Sequence, residues 1–178
     1  MEKIIEYKFE SIRKLIHLSS LMIPLFFYFY GKIKTLQIIL PITLFFVLLD
    51  YYRRKNTIIS SFYNNFFSSI TREHEVKRLT GASYVMISSV FIISFFPSNL
   101  AVTSLFIMSI SDSMASLIGR KYGIIPLGAK SLEGSSAFFI SAFIIVMLSD
   151  LDILISLIAV TFTTYIENNE KISIDDNL

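Results

Sequence analysis

The sequence contains no cysteine. A disulfide framework and a thiolate metal site are therefore excluded. Charge is also scarce, with Asp, Glu, Lys and Arg making up 17% of the 178 residues, against about 25% in soluble domains. The opening MEKIIEYKFESIRKLIHL stays charged for too long, and lacks a small-residue cleavage site before its apolar run, so no cleavable leader is expected. Neither an internal repeat nor a low-complexity linker is visible. Apolar surface fills the place of these features: 53% of residues are hydrophobic, with 17 Phe and 9 Tyr, and the mean hydropathy is +0.63. This composition predicts an integral membrane protein, one domain over residues 1–178.

Crossing a bilayer as a helix takes about 20 mostly apolar residues. Six stretches approach that length: Leu15–Tyr30, Thr35–Tyr52, Thr80–Phe96, Leu100–Gly119, Gly134–Ser149 and Leu151–Ile166. Residues 57–70, aromatic and polar but too short to cross, read as an interfacial amphipathic helix. The predicted fold is all-α, a polytopic membrane helix bundle of about six spans with one interfacial helix. Basic residues crowd the N-terminal segment (Lys3, Lys8, Arg13, Lys14), the connection after the second span (Arg53, Arg54, Lys55, Arg72, Lys77, Arg78) and the one after the fourth (Arg120, Lys121, Lys130). The turn between the first two spans has only Lys32 and Lys34, and the turns at Pro97–Asn99 and Asp150–Asp152 have none. By the positive-inside rule the N-terminus, the two long connections and the C-terminal tail face the cytoplasm.

Asp112 stands out because a carboxylate in an apolar span is costly and points to function. Ser109, Asp112, Ser113, Ser116, Gly119, Arg120 and Gly123 recur at steps of three and four, which predicts one shared helix face. Their alternative is a structural Asp–Arg or Asp–Ser pair. The loop Gly123-Ile-Ile-Pro-Leu-Gly-Ala-Lys130-Ser131 comes near the phosphate-binding pattern GxxxxGK[ST] but carries Ala129 as an extra residue, and it follows a helix instead of a strand. It is not a P-loop. Lys130 and Ser131 nevertheless precede a helix start, where unpaired N–H groups attract anions. Glu133 sits in that first turn, where capping is its structural alternative.

Glu10, Arg13, Lys14 and His17 have helical spacing ahead of the first span, and topology anchoring is the alternative there. His74 and Glu75, within Arg72–Gly81, have the chemistry to ligate a metal or position a hydroxyl; a solvated interface turn explains them equally well. Asp175 and Asp176 close the chain as a pair of carboxylates, or as an acidic tail. All these groups fall on the cytoplasmic side. Carboxylates and bases gathered at one membrane face describe a site for a nucleotide and its divalent cation, since Mg²⁺ uses one or two carboxylates plus phosphate oxygens. The second substrate would be a lipid reached from the bilayer. No nucleic-acid partner is expected, and a homodimer is the expected assembly if there is one.

Together, ExxRKxxH (Glu10 to His17), HEVKRLTGAS (His74 to Ser83), SDSMASLIGRKYG (Ser111 to Gly123), KSLEGS (Lys130 to Ser135) and the late E…DDNL (Glu167, then Asp175 to Leu178) resemble the CTP-dependent lipid kinases. That group includes dolichol, phytol and fungal diacylglycerol kinases. The resemblance covers nearly the whole chain. It implies transfer of the CTP γ-phosphate to a lipid hydroxyl with Mg²⁺. It also implies nucleotide contacts from Arg13, Lys14, Ser116, Gly119, Arg120, Lys121, Lys130, Ser131, Glu133 and Gly134. Asp112 and Asp175 are the implied metal ligands. Asp112, Asp176, His74 and Glu75 are the implied catalytic groups. Members of the group usually continue past the DDNL motif into another apolar helix, whereas this sequence ends at Leu178.

Two other readings remain open at this level. Phosphatidate cytidylyltransferases share a similar D…G…K-[ST]-x-E-G pattern and also use CTP, but they usually carry a later HGG…DRxD segment that is absent here. A small ion-coupled transporter would use Asp112 as its coupling residue; transporter sites lie near the midplane, not at one face.

Overall fold

The computed structural model describes residues 7–67, 78–128 and 130–168. The chain begins with α1 (Tyr7–Leu18), which passes through a 3₁₀ turn (Ser19–Leu21) into α2 (Met22–Lys55). Gly31 breaks α2 with φ 76° and ψ 178°, a conformation essentially confined to glycine. Two rods result, residues 7–30 and 32–55, matching the first two expected spans but extending them at their outer ends. Pro41 lies inside the second rod without ending it.

Asn56 then ends α2 and starts α3 (Thr57–Phe67), its Oδ1 accepting the Ile58 N–H at 2.9 Å. α4 (Gly81–Phe95) is capped by Thr80. α5 (Ser98–Phe106) and α6 (Asp112–Tyr122) form one rod through a π-helical turn, Ile107–Ser111. α7 (Leu132–Met147) and α8 (Ile153–Glu167) complete the bundle, capped by Ser131 and Asp152. Between α6 and α7 the sequence suggests only a loop, but a small antiparallel hairpin forms there: β1 (Pro126–Leu127) pairs with β2 (Lys130–Ser131). Gly128, directly after β1, has φ +62°, the left-handed conformation that tight hairpin turns favour.

Packing divides into two centres. Phe27, Ile39, Ile93, Ala101 and Leu105 join α2, α4 and α5. Ala115, Phe138, Ala142, Val146 and Val160 join α6, α7 and α8. Large apolar side chains point outward instead, among them Phe29, Ile33, Phe95, Leu154, Ile155 and Ile158. Two helical stretches, Tyr7–Lys55 and Ser98–Tyr122, are long and apolar enough to cross a membrane, and Gly81–Phe95, Leu132–Met147 and Ile153–Ile166 are shorter apolar helices.

Candidate active site

The length of α1 packs on one face of α6, and a cluster of buried charge forms between them. The Lys14 ammonium donates to Asp112 Oδ2, with both side chains almost completely enclosed. His17 Nε2 donates to the Met108 carbonyl at 3.0 Å and lies 3.5 Å from the same Asp112 oxygen. One turn earlier, Glu10 is fully buried. Arg13 grips it with two parallel bonds, Nη2 to Oε1 at 2.6 Å and Nε to Oε2 at 3.1 Å. Ser116 Oγ donates to Oε1 at 2.7 Å, and Arg120 Nη2 stands 3.5 Å from Oε2. Helical spacing explains the register: Asp112, Ser116 and Arg120 recur every four residues on α6 and face Glu10, Lys14 and His17 on α1.

The π-helical turn falls just before Asp112. Such turns insert one residue and are frequent at functional sites. Ser20 Oγ meets Ser109 Oγ at 2.7 Å across the same helix pair, and Ser113 Oγ bonds back to the Ser109 carbonyl at 2.7 Å. The polar stripe expected on one face therefore divides. Asp112, Ser116 and Arg120 turn to α1, whereas Gly119 and Gly123 turn to the head of α7, because residues three apart on a helix diverge by about 60°.

On the α7 side the fit is backbone to backbone. A Cβ on Gly134 would lie 3.0 Å from the Ala115 carbonyl oxygen and 3.1 Å from Gly119 Cα. Ser131 Oγ accepts the Gly134 N–H at 3.1 Å, and the Leu132 N–H bonds the Ile125 carbonyl at 2.8 Å. Two donors expected to face an anion are thus already held within the protein, one by the Ser131 cap and the other by the Ile125 carbonyl. Glu133 turns back to the Ile125 N–H, at 3.3 Å and 3.4 Å from its two oxygens. Backbone N–H groups, its own first and then those of Ile124 and Ile125, hold its carboxyl below the ordinary glutamate range. Lys130 is half-buried in β2, and Lys121 lies on the exposed end of α6 with its ammonium 5.1 Å from the Tyr122 ring centre.

Of the predicted residues, Arg13, Lys14, Asp112, Ser116 and Arg120 come together in one cluster. Gly119, Ser131 and Gly134 form the neighbouring α6–α7 contact. His74, Glu75, Asp175 and Asp176 lie outside the described residues. Among the described residues no group of three or more acidic, His or Cys side chains gathers as a metal cage. Mg²⁺ does not require one, because substrate phosphates commonly supply the remaining ligands. Asp112 fits that role, since Oδ2 is held by Lys14 and Oδ1 has no hydrogen-bond partner among the described residues.

Sequence reasoning missed a further buried carboxylate, away from the α1–α6 cluster. Asp50 is fully enclosed, and its Oδ2 accepts the Thr80 N–H (2.8 Å), the Thr80 hydroxyl (2.9 Å) and the Ser83 hydroxyl (2.6 Å). Arg53 stands 3.3 Å from Oδ1 and donates to the Arg78 carbonyl at 3.3 Å. This cluster ties the end of α2 to the head of α4. Its only sequence signals were the Asp50–Arg53 spacing and a threonine at a helix start.

An uncharacterized protein of Rickettsia prowazekii (strain Madrid E) is 34% identical, over 95% of this chain and 91% of its own length. The CTP-dependent diacylglycerol kinase 1 of Saccharomyces cerevisiae is 33% identical over 74% of this chain and 47% of its own length. Its counterpart from Eremothecium gossypii is 32% identical over 75% and 44%. The chain thus spans slightly less than half the length of these two kinases. No family model and no solved structure matches it. By identity and coverage the chain belongs to the same family as the Rickettsia protein, with similarity that extends to part of the fungal CTP-dependent diacylglycerol kinases.

Proposed function

We propose that the chain is a CTP-dependent lipid kinase of the membrane, moving the γ-phosphate of CTP to the hydroxyl of a lipid, with diacylglycerol the favoured acceptor. The observation that carries this reading is the cluster of Lys14, Asp112, Arg13 and Arg120 where α1 meets α6, with Lys14 and Asp112 enclosed and Arg120 partly exposed. Phosphoryl transfer asks mainly for positioning and charge stabilisation. Arg13, Lys14 and Arg120 supply positive charge from two helices, and Asp112 offers a carboxylate oxygen to the cation that accompanies a nucleotide. Fungal relatives named as CTP-dependent diacylglycerol kinases support both donor and acceptor. Polyprenol and phytol-like alcohols are the alternative acceptors.

In the reaction the lipid oxygen bonds to the γ-phosphorus, the bond to the β-phosphate oxygen breaks, and CDP leaves. The hydroxyl proton passes to a general base. Asp112, His74, Glu75 and Asp176 are the proposed acid–base group, and Asp175 the second metal ligand. Mg²⁺, when bound, would neutralise charge on the phosphates. Lys130, Lys121 and the α7 head are proposed as the outer part of the nucleotide site, with Ser131, Glu133 and Gly134 shaping it.

The membrane setting is supported by the outward apolar faces, since soluble monomers rarely expose large contiguous apolar patches. Six helical crossings are proposed, α3 lying at the interface, with the N-terminus and site on the cytoplasmic face. Purified protein given labelled CTP, Mg²⁺ and a panel of lipid alcohols, with ATP as competing donor, tests the reading. CDP and a phosphorylated alcohol are expected. Pyrophosphate with a CDP-lipid would mean cytidylyl transfer instead, and no CTP-dependent product would defeat the proposal.

A further inference from the structure

Glu10 is the most completely satisfied charge in the cluster, yet a carboxylate has no evident place among groups meant for phosphate. Its side chain has no exposure, Arg13 beside it is 13% exposed and Arg120 34%. The three groups therefore form a gradient, with the anion innermost and the two guanidiniums toward the open side. Arg13 spends its Nε and one Nη2 donor on Glu10. A guanidinium has five donors, so its Nη1 edge stays available. Arg120 comes from another helix and touches the same carboxylate only at 3.5 Å. Two like charges brought this close repel, and the shared anion offsets that repulsion. Ser116, on the Arg120 helix, fixes the carboxylate's other side at 2.7 Å.

We propose that Glu10 is a positioning residue for the nucleotide's phosphates: it locks Arg13 and Arg120 side by side, from two helices, in the orientation a polyphosphate needs. This rests on the kinase reading above. Donors held in place before the substrate arrives save the cost of ordering them on binding. Loss of Glu10 removes the anion that the two cations share, and the nucleotide must then offset their repulsion itself. The effect belongs on nucleotide affinity, because Glu10 itself is enclosed beneath the arginines and touches neither reacting atom.

The test is steady-state kinetics of Glu10→Gln and Glu10→Asp in the purified full chain, per folded molecule, with CTP and lipid varied separately. The expected result is a KM for CTP raised about tenfold in Glu10→Gln, the size of one charge-assisted hydrogen bond. Glu10→Asp should fall between it and the wild type, and the KM for lipid should stay within about twofold of it. An unchanged KM for CTP, or a fall in kcat alone, would overturn the proposal. If Glu10→Gln does not fold, Glu10→Asp decides on the same split. A wild-type protein without CTP-dependent phosphorylation would sink the kinase reading instead. Glu10 would then be judged by CTP protection against thermal unfolding: protection in the wild type that is weakened in the variant sustains the proposal, and equal or absent protection ends it.

Discussion

Lys14 and Asp112 show what a buried charge costs and what pairing returns. Enclosing either ion alone costs several kcal/mol, and removing one partner leaves the other uncompensated. Lys14→Ala should therefore destabilise the protein by about 3–5 kcal/mol, read as a lower unfolding midpoint in detergent. Lys14→Met combined with Asp112→Leu should recover most of that stability while CTP-dependent phosphorylation stays absent; recovery of both would remove the pair from the chemistry. Asp50 makes the same argument away from this cluster. Its carboxylate serves three donors, so Asp50→Ala should cost about 3 kcal/mol or more, with Asp50→Asn milder in the same unfolding assay. Each charged residue was visible in the sequence as a type. The partners were not, since Lys14 and Asp112 are 98 positions apart.

Element scale explains how α6 serves two neighbours at once. Its α1 face carries Asp112, Ser116 and Arg120, and its α7 face carries Ala115 and Gly119 against Gly134. Helices in lipid gain most from close backbone approach, which small residues permit. Gly134→Val places branched carbon against the Ala115 carbonyl and Gly119. It should cost about 1–3 kcal/mol through overpacking and push α6 off its register with α1. Thermal unfolding and CTP turnover should both fall; wild-type values in both would show that the helices do not need this contact. The six helical stretches were legible from apolar runs of the right length. The π-helical turn before Asp112 and the β1–β2 hairpin were not, because both depend on how α6 is held between its neighbours and on the docking of Gly128 against the Asn168 end of α8.

In the crossing pattern proposed for the whole molecule, alternation of the rods carries the starts of α1, α4 and α7 and the ends of α2, α6 and α8 to one side. The absence of cysteine makes this directly testable. Ile124 is 86% exposed between α6 and α7, and Leu148 is 84% exposed between α7 and α8. In intact cells a membrane-impermeant maleimide should modify Leu148→Cys but reach Ile124→Cys only after permeabilisation. Labelling of both from the same side would overturn the proposed crossing pattern.

The sequence by itself determined the helices, because apolar run length and cap residues are local properties that need no partner. It also marked Asp112 as an expensive charge, since a carboxylate within an apolar span is costly, but it did not single out Asp50. Only the tertiary structure decided which charge answers which. It set Lys14 on Asp112, joined Glu10 to guanidiniums from two helices, and spent the Ser131 hydroxyl on capping α7. Pairing depends on the relative rotation and height of helices distant in sequence, and those are set by packing such as the Gly119–Gly134 approach, which no single segment encodes.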